Sequence, residues 1–155
     1  MDYGKYEEGY GINLSRDQVK WRENAKELIV DLFISKADTF KEEYDDYCNE
    51  NGLDPEDAET KEAFVDDYND DSAYGSDGLE GLLINILNEY AAEKGYNAEF
   101  RYGDYCIYLP AYIPEDKEDQ KKRMTIQDIQ TVLKAYMSVL TENPITTEWL
   151  EICIR

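Results

Sequence analysis

Acidic side chains are concentrated between Asp38 and Glu80, and this concentration limits what that segment can become. It contains 17 Asp and Glu residues but only two basic residues, Lys41 and Lys61, and so carries −15 of the chain's net charge of −20. Carboxylates are almost never fully buried without a partner. The segment can therefore contribute only a narrow apolar stripe to a core, and we expect helices with strongly acidic outer faces.

Apolar residues at helical spacing predict four helices. The first begins at Ser15, with Gln18 as a capping partner, and ends at Gly52; it is either continuous or broken at Ser35-Lys36. The second begins within the Asp-Pro-Glu-Asp sequence at 54–57, with Asp54 as its N-cap, Pro55 at the first helical position and acids in the first turn. A third helix runs from residue 77 or 78 to 95, and a fourth begins at a cap formed by residues 125 and 128.

The hydrophobic period changes after the third helix. Residues 97–113 predict a hairpin that turns at Gly103-Asp104, and residues 149–154 predict a short last strand. This order indicates an α+β fold with three to four helices and a three-stranded antiparallel or mixed sheet in the C-terminal half. Residues 1–14 alternate Tyr with Gly and charges with no periodicity, so we expect a flexible arm that is either disordered or laid across the body of the domain.

This division predicts one α+β domain over residues 15–155, consisting of an acidic helical part (15–95) and a ββαβ part (96–155). The region 114–123 is a charged loop, and the region 69–78 is a loop by composition.

The composition excludes several function classes. The 155-residue chain has no His, which removes Ser-His-Asp and Cys-His catalysis and most zinc sites. A charge of −20 opposes direct binding to nucleic acid or to an anionic membrane. There is no long apolar run and no signal-peptide pattern at the N-terminus. Three widely spaced cysteines favour free thiols in a reducing cytoplasm, so we expect a cytoplasmic, non-enzymatic protein without cofactors.

A calcium site is disfavoured although the start of an EF-hand loop can be found. Asp67, Asn69 and Asp71 have the opening spacing, but Ser72 occupies the position of the turn glycine and Gly78 that of the bidentate Glu. We therefore expect no metal site.

A nuclease is also disfavoured. Asp77 and Glu99 only loosely match a metal-binding Asp…Glu-x-Lys arrangement, and Arg101 stands at the Lys position. The net charge of the chain would repel the substrate.

The acids form rows on two predicted helices. Glu42, Asp46 and Glu50 are four residues apart with Asp38 one turn earlier, and residues 59, 62, 66 and 70 form a similar row. Such spacing places carboxylates about 6 Å apart, similar to the distance between phosphates of a nucleic-acid strand. Like charges at this spacing each cost a few tenths of a kcal/mol, so we infer that the charge has a use.

These carboxylate rows, with interleaved tyrosines, make the chain resemble in kind the small acidic anti-defence proteins of phages and mobile elements. These are anti-CRISPR and antirestriction proteins, several of which mimic DNA. The resemblance implies a stoichiometric inhibitor that occupies the Lys/Arg-lined nucleic-acid channel of a host CRISPR effector or restriction enzyme. The expected contact residues are Asp38, Glu42, Glu43, Asp45, Asp46, Glu50, Glu59, Glu62, Asp66, Asp67, Asp70, Asp71, Tyr44, Tyr47, Tyr68 and Tyr74.

An alternative interpretation is a regulatory or scaffold module that binds a protein through apolar helices or a sheet edge. In that case the acids are only a solvated face, and the tyrosines form the edge of a thin core.

Overall fold

A computed structural model describes residues 5–15, 19–68, 78–111 and 123–154. In these ranges it has five helices and a four-stranded antiparallel sheet, which confirms the α+β class with one helix and one strand more than predicted. The helices are α1 (Ala25–Lys36), α2 (Asp38–Asn51), α3 (Ala58–Asp67), α4 (Gly78–Glu93) and α5 (Ile126–Leu140). The strands are β1 (Lys5–Asn13), β2 (Arg101–Gly103), β3 (Cys106–Pro110) and β4 (Glu148–Ile154).

The long apolar pattern of the first predicted helix forms two helices, α1 and α2. They are separated by Ala37, which has extended φ and ψ angles of −154° and 146°. The break therefore lies directly after Ser35-Lys36, where the sequence predicted it. At the other end of α2, Gly52 takes a left-handed φ of 64° and ends the helix as expected.

The predicted start of the next helix at Asp54 and Pro55 is wrong, since α3 begins at Ala58 with Asp57 as its N-cap. The N–H groups of Glu56 and Asp57 donate to Asp54, so residues 54–57 form a turn before the helix.

The predicted helix start at Ser15 is wrong, since α1 begins only at Ala25. The residues before α1 instead lie alongside the C-terminal end of α5 and pair with it through backbone hydrogen bonds. The backbone N–H of Arg22 donates to the Leu140 carbonyl at 2.8 Å, and Glu142 donates to the Lys20 carbonyl at 2.8 Å. These tertiary hydrogen bonds satisfy backbone groups that a longer helix would have paired internally.

The helix α4 is the central element of the helical layer. It begins at Gly78 as predicted, and Leu82, Leu83, Ile86 and Leu87 are fully buried because α1, α3 and β2 contact it. A Cβ on Gly78 would lie 1.7 Å from the Val65 carbonyl oxygen, so only glycine allows this approach of α4 to α3.

The strand order is β2-β3-β1-β4, so β1 is an interior strand with an antiparallel partner on each side. The prediction of a flexible arm is therefore wrong for residues 5–13, and the sheet is not confined to the C-terminal half. Side chains of residues 5–13 do alternate between the two faces of the sheet, but the glycines on one face hide this alternation in the sequence. Tyr6, Glu8, Tyr10 and Ile12 lie on one face, while Gly9 and Gly11 occupy the other.

The sheet curls towards its glycine-bearing face. On that face Cys106, Tyr108, Leu150 and Ile152 form a small core that is separate from the main one. The two edge strands approach each other there, and a Cβ on Gly103 of β2 would lie 3.3 Å from Cγ2 of Ile152. The opposite, convex face carries the residues that pack on the helices.

The predicted hairpin is confirmed, but its turn lies one residue later than the expected Gly103-Asp104, because Gly103 still pairs with Cys106. Asp104 and Tyr105 join β2 to β3 with left-handed φ angles of 50° and 62°, as a two-residue type I′ turn requires. The carboxylate of Asp104 accepts from the backbone N–H of Cys153 at 3.5 Å, which links this turn to β4.

The predicted start of the fourth helix is also confirmed, as α5. Thr125 and Asp128 form a reciprocal capping box at its first turn. The helix packs on the convex face of the sheet, where Gln130 donates to the hydroxyl of Tyr10 at 2.7 Å.

Candidate protein interface

The acidic row of α2 faces away from the core. The buried side of this helix is marked by Tyr44 and Cys48, each 2% exposed. Glu42, Asp46 and Glu50 lie two residues from these positions, about half a turn around the helix, and all three are exposed. Asp38 and Glu43 are exposed as well. The helix therefore presents its charge to solvent, as the sequence predicted.

The carboxylates of this row keep their charge uncompensated. Within the described residues, Glu42, Asp46 and Glu50 have no ion-pair partner within 4.0 Å. The one basic residue of α2, Lys41, pairs instead with Asp45 at 2.9 Å beside the row. We name Glu42, Asp46 and Glu50 the α2 row.

The acids of α3 are exposed but partly compensated. Glu59, Glu62, Asp66 and Asp67 are all exposed. Lys26 of α1 forms an ion pair with Asp66 at 2.5 Å. The α3 face thus offers less free charge than the α2 row.

The tyrosines of the acidic helices are structural. Tyr44, Tyr47 and Tyr68 surround Phe64, with ring centroids 5.1, 5.2 and 5.6 Å from it. The Tyr44 hydroxyl donates to the Pro55 carbonyl at 2.8 Å. Because Tyr44 is 2% exposed, its prediction as a partner contact is wrong.

The other two rings are half-buried and held by their hydroxyl groups. Tyr47 donates to Asp67 at 2.7 Å, and Tyr68 is hydrogen-bonded to Asn85. Burial, together with the bond to Asp67, raises the pKa of Tyr47 to about 12. These contacts agree with the alternative that the tyrosines form the edge of a thin core. Asp70, Asp71 and Tyr74 lie outside the described residues.

The region of the loose nuclease pattern is occupied by structural contacts. A groove of about 550 Å³ is lined in part by Glu7, Glu99 and Arg101. Arg101 forms an ion pair with Glu7 at 2.9 Å, which engages the residue at the expected Lys position. Glu99 lies before β2 rather than on it, and Asp77 lies outside the described residues.

An exposed part of the convex sheet face, at the edge formed by β4, was not predicted from the sequence. Tyr6 and Trp149 are 61% and 58% exposed, which is unusual for large aromatic side chains. Glu8 and Glu151 are exposed beside them. The signal was available in the alternation of Tyr and Glu along residues 5–13, which the two glycines concealed.

Comparison with protein-family models, curated proteins and solved structures gives no match to this chain. Among the described residues, no helix combines the length and apolar character needed to cross a membrane. The same residues contain no group of three or more Cys, Asp and Glu side chains placed to hold a metal ion.

Proposed function

We propose that the chain is a non-enzymatic inhibitor that binds a basic nucleic-acid-processing host defence enzyme, with the α2 row as its main contact. The observation that carries this proposal is that Glu42, Asp46 and Glu50 are exposed and unpaired among the described residues, on the face opposite the core. Carboxylates that no neighbour compensates are available to the lysines and arginines of a nucleic-acid channel.

The helix also gives the row a suitable geometry. Successive carboxylates are about 6 Å apart along the helix axis, which is similar to the phosphate spacing of a nucleic-acid strand. The field of the acidic segment would steer association and make it sensitive to salt. The ion pair at Asp66 makes α3 a secondary contact, and the aromatic cluster beneath both helices holds them in place.

Inhibition assays test this proposal directly. The wild-type chain is titrated into DNA-cleavage reactions of purified CRISPR effectors and restriction endonucleases. For any enzyme that it inhibits, the variant Glu42→Gln/Asp46→Asn/Glu50→Gln is compared with the control Glu23→Gln/Glu89→Gln/Glu99→Gln. Each variant removes three negative charges, so the two have the same net charge but neutralise residues in different parts of the chain.

We expect the α2 variant to weaken inhibition about tenfold or more and the control to retain it. Competing duplex DNA should prevent the enzyme from binding the wild-type chain. Equal inhibition by both variants would contradict the role of the α2 row. Binding that is unchanged by high salt would instead favour the scaffold module, since apolar interfaces are not screened.

A further inference from the structure

We propose that β4 has a second binding surface, at which an extended cationic segment of a protein partner adds a strand to the sheet. The surface consists of Tyr6, Glu8, Trp149 and Glu151, which we name the edge patch. It is separate from the α2 row and does not depend on the function proposed above.

The first observation is a pair of opposed carboxylates. Glu8 of β1 and Glu151 of β4 are directly paired in the sheet register. The Glu8 carbonyl accepts from the N–H of Ala111, beyond the end of β3, so the hydrogen-bonding groups of Glu8 point away from β4. The two residues thus form a non-hydrogen-bonded pair, in which the Cα atoms are about 4.5 Å apart. Like charges at this separation destabilise a sheet, and a cation placed between them would remove that cost.

The second observation is the aromatic side chains on both sides of this pair. Side chains two residues apart in a strand share a face, so Trp149 flanks Glu151 and Tyr6 flanks Glu8. Both rings are more than half exposed. The Trp149 ring is supported from below by Tyr10, whose ring lies edge-on to it at 5.4 Å. Exposed aromatic faces beside carboxylates suit a lysine or, better, an arginine side chain.

The third observation is the backbone edge of β4 at Trp149 and Glu151, which lies before the part of the strand that β2 and its turn contact near Ile152 and Cys153. The N–H of Cys153 points away from β1, because it donates to Asp104. By the alternation of an antiparallel ladder, the N–H and C=O groups of Trp149 and Glu151 point the same way. Among the described residues these groups have no hydrogen-bond partner. An unpaired edge of this kind accepts another strand.

Charge complementarity selects the occupant. A second copy of this chain would bring another −20 and a second Glu151 to the same edge, so self-pairing is opposed by repulsion. A partner strand with Lys or Arg at every second residue places its cations on the convex face, opposite Trp149 and Glu151. We therefore infer a cationic, extended segment as the partner.

The test uses the full chain and the peptide acetyl-Thr-Arg-Thr-Arg-Thr-Arg-Thr-amide. One control peptide has citrulline at each Arg and lacks the charges. A second control is N-methylated at each Arg, so it keeps the charges but cannot pair as a strand. Binding is followed by amide chemical shifts, and thermal unfolding of each variant checks that it is folded.

We expect the shifts to map to β4, and each control peptide to bind about tenfold more weakly. Glu151→Pro, which removes an outward N–H, should weaken binding to a similar extent, whereas Glu42→Gln should not. The proposal is overturned if the N-methylated peptide binds equally well, if the shifts map to α2, or if the free chain dimerises through β4. The peptide controls remain decisive even if Glu151→Pro does not fold.

Discussion

The position of β1 can be tested by replacing Gly11 with Ala. A Cβ at this position would lie 2.0 Å from the carbonyl oxygen of Ile107, whereas ordinary contact begins at 3.4 Å. The strands β1 and β3 would have to separate by more than 1 Å, although sheet hydrogen bonds tolerate only about 0.5 Å of variation. At least one adjacent ladder bond would break, at about 1–3 kcal/mol per buried group left unpaired. With the strain of overpacking, we expect Gly11→Ala to lower the free energy of unfolding by about 4 kcal/mol.

Urea unfolding followed by tryptophan fluorescence and circular dichroism measures this loss. Gly103→Ala is the matched control, because its Cβ would meet side chains and no backbone atom: Ile152 at 3.3 Å and Tyr108 at 3.9 Å. We expect that control to cost less than about 1 kcal/mol. If Gly11→Ala unfolds within 1 kcal/mol of the wild type, residues 5–13 are not an interior strand, and the flexible arm that the sequence suggested is restored.

Three further predictions concern the charge row, the hairpin and the buried tyrosines. Asp46→Lys converts the two repulsive i,i+4 contacts of residue 46 into attractive pairs, so the free energy of unfolding should rise by about 1 kcal/mol at low salt. Urea titrations at low and high salt measure this change. A loss of stability would contradict mutual repulsion in the α2 row. Tyr105→Gly removes the strain of a side chain at a left-handed φ of 62°. The free energy of unfolding should therefore increase by about 1 kcal/mol and Tm by about 3 °C. An unchanged melting curve would count against the type I′ turn. Burial and the Glu7 carboxylate raise the pKa of Tyr108 to about 12, while an unfolded Tyr ionises at about 10. The contribution of Tyr108 to the free energy of unfolding should thus be fully present below pH 10 and be lost between pH 10 and 12. Urea titrations across this range measure the loss, and Tyr108→Phe should reduce it. An equal loss in the variant would contradict the prediction.

The parts of the fold that were predicted correctly depend on local chemistry. The capping box at Thr125 and Asp128 and the end of α2 at Gly52 involve residues a few positions apart. These caps and helix ends can be recognised in the sequence because they do not depend on contacts with distant parts of the chain. The hairpin between β2 and β3 belongs to the same class, because two residues make its turn.

The parts that were missed depend on contacts between distant residues. The strand β1 pairs with β3 about a hundred residues later and with β4 at the end of the chain. Its glycines carry no hydrophobic signal, because the space that side chains would fill is occupied by Ile107 and Tyr108. The start of α1 was placed too early for the same reason, since Leu140 at the end of α5 and Glu142 just after it provide the hydrogen-bond partners of Arg22 and Lys20.

The candidate interface divides in the same way. The outward orientation of Glu42, Asp46 and Glu50 follows from the sequence, because a helix places residues four apart on one side and charge keeps that side in water. Only the tertiary structure decided which acids keep their charge and which tyrosines are buried. Asp66 meets Lys26, 40 residues earlier, because α1 packs on α3, and Tyr44 closes over Phe64 from another helix. The spacing of side chains along one helix is set by the geometry of that helix. Which charges are compensated and which side chains are buried is set by the other elements that pack against it.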